Sequence, residues 1–225
     1  MDGTSLLFEP FITALGHRCS VITVSYPCLG IPEQSYAALH DLAALVLPSE
    51  GSVVLLGESF SGPIAISLAA AHPKRVVGVV LCCTFVRNPR PGLRWLSFFA
   101  SLPLPLPPSP LLNPLLLGRF ATPKLRRMLR TALALVPPAV LRARLKAVVS
   151  VDVRPQARGL EAPVLYLKAT HDRLVLSPAV TEVEQCCRNI SIQAFEAPHC
   201  LLQAVPVEAA AAVTKFIDAV MQNTA

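Results

Sequence analysis

The sequence predicts an α/β protein: a mostly parallel sheet with helices on both faces, and a helical cap set into it. Three observations carry this. Short runs that are apolar almost throughout, such as VVGVVLCCTF before Val86, alternate with segments whose apolar residues recur at helical spacing. Strands apolar on both sides belong to sheets covered on both faces. The alternation breaks off at Arg87, stays away for some sixty residues, and resumes at Ala162. The chain has 225 residues, enough for one α/β domain with a full core.

In chain order, residues 1–5 read as a loop leading into a short helix over Leu6 to Leu15. Cys19 to Tyr26 (CSVITVSY) reads as a strand stopped by Pro27. Pro32 to Leu47 carries Ala37, Leu39, Leu42, Ala43 and Val46 at helical spacing, and Pro48 ends it. Val53 to Gly57 is a buried strand, followed by a turn and an apolar helix over Ile64 to Ala71. Arg75 to Phe85 is a further strand. Leu102 to Leu117 (LPLPLPPSPLLNPLLL) holds too many prolines for a regular helix or a central strand. Lys124 to Leu135 and Pro138 to Val149 read as helices with arginines on one face. Ala162 to Ala169 is a strand, Ser177 to Arg188 a helix, Ile190 to Phe195 the last strand, and Val205 to Gln222 a C-terminal helix. Five strands are expected in all. The divisions are 1–85 and 151–225 for the two parts of the core, and 86–150 for the cap.

Charge divides the same way. The net charge is +6, yet 86–150 holds eleven Lys or Arg and no Asp or Glu; the remainder, with nine basic and fourteen acidic residues, is at −5. Half of the 22 prolines fall in that segment too. The basic character belongs to the cap, and few aromatics lie among its charges, which argues against nucleic acid. Arg126, Arg127, Arg130, Arg142, Arg144 and Lys146 form a candidate surface for an anionic partner: an acidic carrier protein, a coenzyme A phosphate or acidic lipid. The alternative is a solvated helix face.

Hydrophobic residues make up 53% and charged residues 15%. This apolar excess fits a greasy substrate pocket, a membrane-facing surface or an oligomer interface. No window reaches about 18 apolar residues without proline, so no transmembrane helix is expected. The N-terminus shows no signal-peptide pattern. Seven cysteines, an odd number with two adjacent pairs, form no C-x-x-C and no metal-ligand pattern. The expectation is reduced thiols in a cytoplasmic protein, with no metal and no cofactor.

One stretch carries chemistry. Val53 to Gly62 (VVLLGESFSG) reads as strand, sharp turn and helix start, with Ser59 at the turn. A serine there is held in a strained conformation with its hydroxyl above the sheet edge. The G-x-S-x-G pattern is imperfect: Ser61 stands where glycine is asked for, and Gly62 comes one place late. An ordinary strand–helix turn containing a serine is the competing reading. Two loops supply partners. Asp172 follows the 162–169 strand in ATHDRLV, and His199 follows the last strand in APHCLLQ. Each lies at the carboxyl end of a strand, where open α/β sheets build their sites. A serine hydroxyl needs an imidazole to take its proton and a carboxylate to hold that imidazole. Glu184 and Asp152 are the alternative acids. His17, His40, His72 and His171 lie in no motif, and Cys200 reads as packing.

GESFSGP, ATHDRLV and APHCLLQ, in the order Ser, Asp, His, resemble the α/β-hydrolase superfamily of lid-bearing serine esterases and thioesterases. The resemblance spans nearly the whole chain and is weakest in the cap. It implies an α/β-hydrolase fold cleaving a carboxylic ester or thioester with an apolar acyl group. Ser59 would be the nucleophile, His199 the general base and Asp172 its orienting acid. Phe60 would give one oxyanion-hole N–H, and Met1 or Asp2 the other. The strand that precedes this last loop in the family, and two before it, have no counterpart here. In the family that strand lies between the 19–26 strand and the elbow strand, so an N-terminally truncated sheet is expected. The alternative function is a catalytically impaired, hydrolase-like binding protein.

Overall fold

The computed structural model describes residues 3–26, 33–90, 92 and 109–222. Its sheet has four parallel strands in the order β1 (Val53–Glu58), β2 (Val76–Cys82), β3 (Val164–Ala169) and β4 (Ile190–Phe195). Side chains alternate across this sheet, as the strand period of two requires. Val79 and Leu81 of β2, with Val164 and Tyr166 of β3, face one core layer; Val80 and Cys82, with Leu165 and Leu167, face the other. Helices cover both. The first layer packs under α3 (Gly62–Ala71), the short Arg154–Arg158 helix and the Ser177–Cys186 helix. The second packs under α1 (Glu9–Leu15) and the long C-terminal helix Pro206–Gln222. Helix α2 (Tyr36–Ala44), capped by the Ser35 side chain accepting from the Ala38 N–H at 3.2 Å, buries Leu39 and Ala43 against Ile64 and Leu68 of α3.

Between β2 and β3 the chain leaves the sheet. Its described part forms helices Ser109–Leu116, Pro123–Ala134 and Pro138–Ser150. The ends of this excursion meet: Arg87 and Asp152 form an antiparallel bridge, and the Val153 N–H donates to the Val86 carbonyl at 2.8 Å. The middle helix begins at a cap, Thr122, whose side chain accepts from the Leu125 N–H, and has proline in its first turn.

Two expectations fail. Cys19 to Tyr26 joins no sheet, and its one described inter-segment backbone bond runs from the Tyr26 N–H to the Gly3 carbonyl at 2.8 Å. β-branched residues favour a strand only where a neighbouring edge receives them. Here Val21 and Ile22 stand 40% and 56% exposed, and among the described residues β1 pairs with β2 alone. The expected fifth strand is therefore not formed. The second failure is in the proline-rich stretch, where Ser109–Leu116 is helical with Pro114 inside it. Pro110 sits in its first turn, where N–H groups have no intrahelical partner anyway, so only Pro114 forgoes a bond. Residues 101–108 lie outside the described part.

Candidate active site

Strand β1 ends at Glu58, and the chain turns at once into a 3-10 turn, Ser59–Ser61, continuous with α3. Ser59 adopts φ +54°, a left-handed conformation that a non-glycine residue holds only when its surroundings impose it. Those surroundings are identifiable. The Thr84 hydroxyl donates to the Ser59 carbonyl at 2.5 Å. Thr84 is itself fixed by Tyr166, whose hydroxyl accepts from the Thr84 N–H at 3.0 Å and donates to the Thr84 carbonyl at 2.8 Å. A Cβ on Gly62 would lie 1.9 Å from the Thr84 hydroxyl oxygen, and one on Gly57 would lie 2.7 Å from the Gly62 Cα. The close strand–helix approach thus runs through Gly57 and Gly62, which leaves position 61 free to be serine. Ser61 uses its side chain in a hydrogen bond with the Tyr26 hydroxyl. That bond and the Arg144 charge lower the Tyr26 pKa, but burial outweighs both and raises it.

The parallel strands put the ends of β1, β3 and β4 on one edge, and there the structure brings Ser59, His199 and Asp172 together. His199 Nε2 is 2.8 Å from Ser59 Oγ, and His199 Nδ1 is 2.8 Å from Asp172 Oδ2. The His199 and Asp172 side chains are 5% and 4% exposed. The other carboxylate oxygen, Oδ1, accepts from the N–H groups of Leu174 (2.7 Å) and Val175 (2.9 Å). A carboxylate only accepts, so Nδ1 of a neutral His199 must carry the proton. Nε2 is then left as an acceptor aimed at the Ser59 hydroxyl. Chemically, the arrangement can draw a proton from Ser59 as that oxygen attacks an electrophile.

The remaining candidates fall as follows. Phe60 is buried, its ring stacked on Tyr36 at 4.8 Å between centroids, and its main chain lies at the start of a helical run. Met1 and Asp2 lie outside the described residues. Asp152 is held by Arg154, which lowers its pKa to about 2, and Glu184 is exposed; neither is paired with His199. Cys200 is buried beside Leu117 and Leu129, and burial pushes its thiol well above the usual range, leaving it protonated. Of the basic residues, Arg126, Arg127, Arg130 and Lys146 are exposed and Arg142 is half-buried, whereas Arg144 is fully buried. Arg144 therefore does not belong to a surface patch: its guanidinium lies in the core against Gln34 and Tyr26.

Above Ser59 and His199 lies a cavity of about 720 Å³. Its far walls are leucine-rich and come from the helices between β2 and β3, including Leu116, Leu129, Leu133, Leu141 and Leu145. The exposed Arg130 also lines it. Sequence reasoning missed Thr84, Tyr166 and Tyr26. Tyr166 did leave a signal, being the single aromatic, hydroxyl-bearing residue of the strand VLYLKA.

The profile of the alpha/beta hydrolase family matches residues 3–213, and the chain belongs to that family. No match was found among curated proteins. Among solved structures it is similar to an esterase from Thermogutta terrifontis (TM-score 0.80, 18% identity, covering 97% of this chain and 86% of that one). It is also similar to an enol-lactonase from Burkholderia xenovorans (TM-score 0.75, 22% identity, 99% and 88%). A bromoperoxidase from Bacillus anthracis matches at TM-score 0.73 with 14% identity, covering 96% and 88%. At these identities the likeness shows the α/β-hydrolase fold.

Proposed function

We propose that the protein is a serine hydrolase cleaving a carboxylic ester or thioester with an apolar acyl group. The observation that carries this is the Ser59–His199–Asp172 chain of two 2.8 Å contacts at the floor of a leucine-lined cavity. Ser59 is the nucleophile, His199 the general base and Asp172 the residue that fixes its tautomer. The main-chain N–H of Phe60 is one oxyanion donor. It opens a helical run whose first N–H groups have no intrahelical partner, and the helix dipole favours developing negative charge there. Met1 or Asp2 would supply the second.

The helices over the strand ends act as a lid and acyl pocket. A cavity of this size falls in the range of small-molecule sites. With p-nitrophenyl esters of increasing chain length, kcat/KM is expected to rise by about fourfold per methylene, from about 0.8 kcal/mol per buried CH₂, until the cavity is full. Leu133→Trp should move that limit to a shorter chain. A flat response across chain lengths in both proteins would remove the acyl pocket.

The exposed Arg126, Arg127 and Arg130 on one helix, with Lys146 nearby in sequence, suit an anionic leaving group such as a coenzyme A phosphate or an acidic carrier protein. Turnover of a coenzyme A thioester should then fall with salt while that of a neutral ester does not; equal salt dependence counts against the partner. Among the described residues no helix is long and apolar enough to cross a membrane, and six cysteines are free thiols. Free thiols fit a cytoplasmic location.

A second reading is favoured by one observation. The elbow strand β1 is an edge of the sheet, with no strand on its outer side among the described residues. A catalytically impaired binding protein with the same cavity would bind apolar acyl esters without turning them over. Turnover that disappears in His199→Ala excludes it.

A further inference from the structure

Arg144, from the Pro138–Ser150 helix, is the largest fully buried side chain among the described residues, at 0% exposure. A guanidinium is almost never taken out of water without a web of partners. Its Nε donates to Gln34 Oε1 at 2.9 Å and its Nη2 to the Tyr26 carbonyl at 3.3 Å, and its central carbon lies 5.9 Å from the Tyr26 ring centroid. Its Nη1 lies 2.7 Å from where a Cβ on Gly3 would stand, and Gly3 has φ +68°. Tyr26 in turn donates its N–H to the Gly3 carbonyl. Gly3, Tyr26 and Ser61 line the cavity together with Ser59, and Tyr26 shares a buried cluster with Phe60. One cation from the helices between β2 and β3 therefore packs against the N-terminal loop at Gly3, bonds to the Tyr26 carbonyl, and reaches the nucleophile turn through Tyr26.

We propose that Arg144 is a positioning residue that clamps the Gly3 loop and Tyr26 against the Ser59–Ser61 turn, fixing the wall beside the nucleophile before substrate binds. This rests on the hydrolase reading above. Arginine suits the place because its rigid fork serves several acceptors at once while its flat face lies near an aromatic ring. A lysine ammonium is a single point charge and can do only part of this. Nothing in the clamp need touch substrate; its effect is on where the groups that do are held.

The test compares wild type with Arg144→Met and Arg144→Lys on a short p-nitrophenyl ester. Arg144→Met keeps the apolar stem and removes the fork. A misplacement of about 1 Å costs on the order of 10²-fold in rate, so kcat is expected to fall about 10²-fold with KM changed by less than about threefold. Arg144→Lys should recover only a small part of that loss. Tyr26→Phe added to Arg144→Met should cost less than Tyr26→Phe alone, because both act through one network. Hydrogen exchange reads the clamp without turnover. The Tyr26 amide should exchange at least about tenfold faster in Arg144→Met while β2 and β3 amides keep their protection. If Arg144→Met does not fold, Arg144→Lys carries the same two readouts. An active wild type with an unchanged kcat or unchanged Tyr26 exchange in the variants overturns the clamp alone. A wild type without turnover overturns the hydrolase reading and, with it, the role in a reaction.

Discussion

Asp172→Asn lowers kcat by about 10⁴-fold, on the scale known for an orienting carboxylate in a serine triad, while leaving the protein folded. The reason lies in how Asp172 is held. Its Oδ1 accepts from the N–H groups of Leu174 and Val175, and only its Oδ2 meets His199. An asparagine in this loop must keep its carbonyl oxygen on those two donors, because an NH₂ group there would face N–H groups. Its NH₂ then points at His199 Nδ1, which has to become an acceptor. The imidazole proton moves to Nε2, and the nitrogen facing Ser59 can no longer take the hydroxyl proton. Steady-state kinetics measures the loss, and the His199 ¹⁵N chemical shifts report the change of tautomer. A variant with wild-type kcat would mean that Asp172 does not orient the base.

Gly62→Ala destabilises the fold and disables Ser59 together. The new methyl would lie 1.9 Å from the Thr84 hydroxyl oxygen, 2.5 Å from its methyl and 2.6 Å from its Cβ. Thr84 is fully buried and tied to Tyr166, so it has nowhere to retreat. Either α3 lifts away from β2 or Thr84 turns and releases the Ser59 carbonyl. Overpacking of this kind costs about 1–3 kcal/mol or more, and Ser59 then loses a constraint on its left-handed φ. Urea denaturation should register the first effect and the rate of covalent labelling the second. Adding Thr84→Ala should relieve part of the strain, while Thr84→Ser, which loses the methyl at 2.5 Å but keeps the oxygen at 1.9 Å, should relieve less. Ser61→Gly, by contrast, removes one hydrogen bond and should change stability by no more than about 1.5 kcal/mol. If Gly62→Ala were as stable and reactive as wild type, the account of the elbow's geometry would fail.

The sequence made the elbow and its partner loops legible because they follow from local pattern. An apolar run, a small-residue turn and a helical period identify β1 and α3, and Asp172 and His199 stand one short loop beyond their strands. Strand β4 matches its expected limits, Ile190 to Phe195, because the Asn189 and Glu196 neighbours bound it sharply. What failed depended on distant neighbours. Cys19 to Tyr26 has the residues of a strand, but a strand exists only through its partner, and among the described residues none is paired with it. The Arg154–Arg158 helix is too short to show a period. Gly62 looked like a motif slipped by one place until Thr84, twenty-odd residues away, explained it.

Arg144 is the instructive miss. Grouped with Arg142 and Lys146 it read as one basic face. At about 100° per residue, however, Arg142 and Lys146 fall on the same side of the helix and Arg144 on the opposite one. The burial agrees: Lys146 is exposed and Arg144 lies in the core. The helical period held the information, and the charge count concealed it.

The central claim is that Ser59 is a nucleophile activated by His199. Reaction with a fluorophosphonate probe, followed by mass mapping of the adduct, tests it most directly. The expected result is a single phosphonyl adduct on Ser59 in the wild-type protein, none in Ser59→Ala, and labelling slowed by several orders of magnitude in His199→Ala. An unmodified Ser59 in the folded wild-type protein, or equal labelling of wild type and Ser59→Ala, would contradict it.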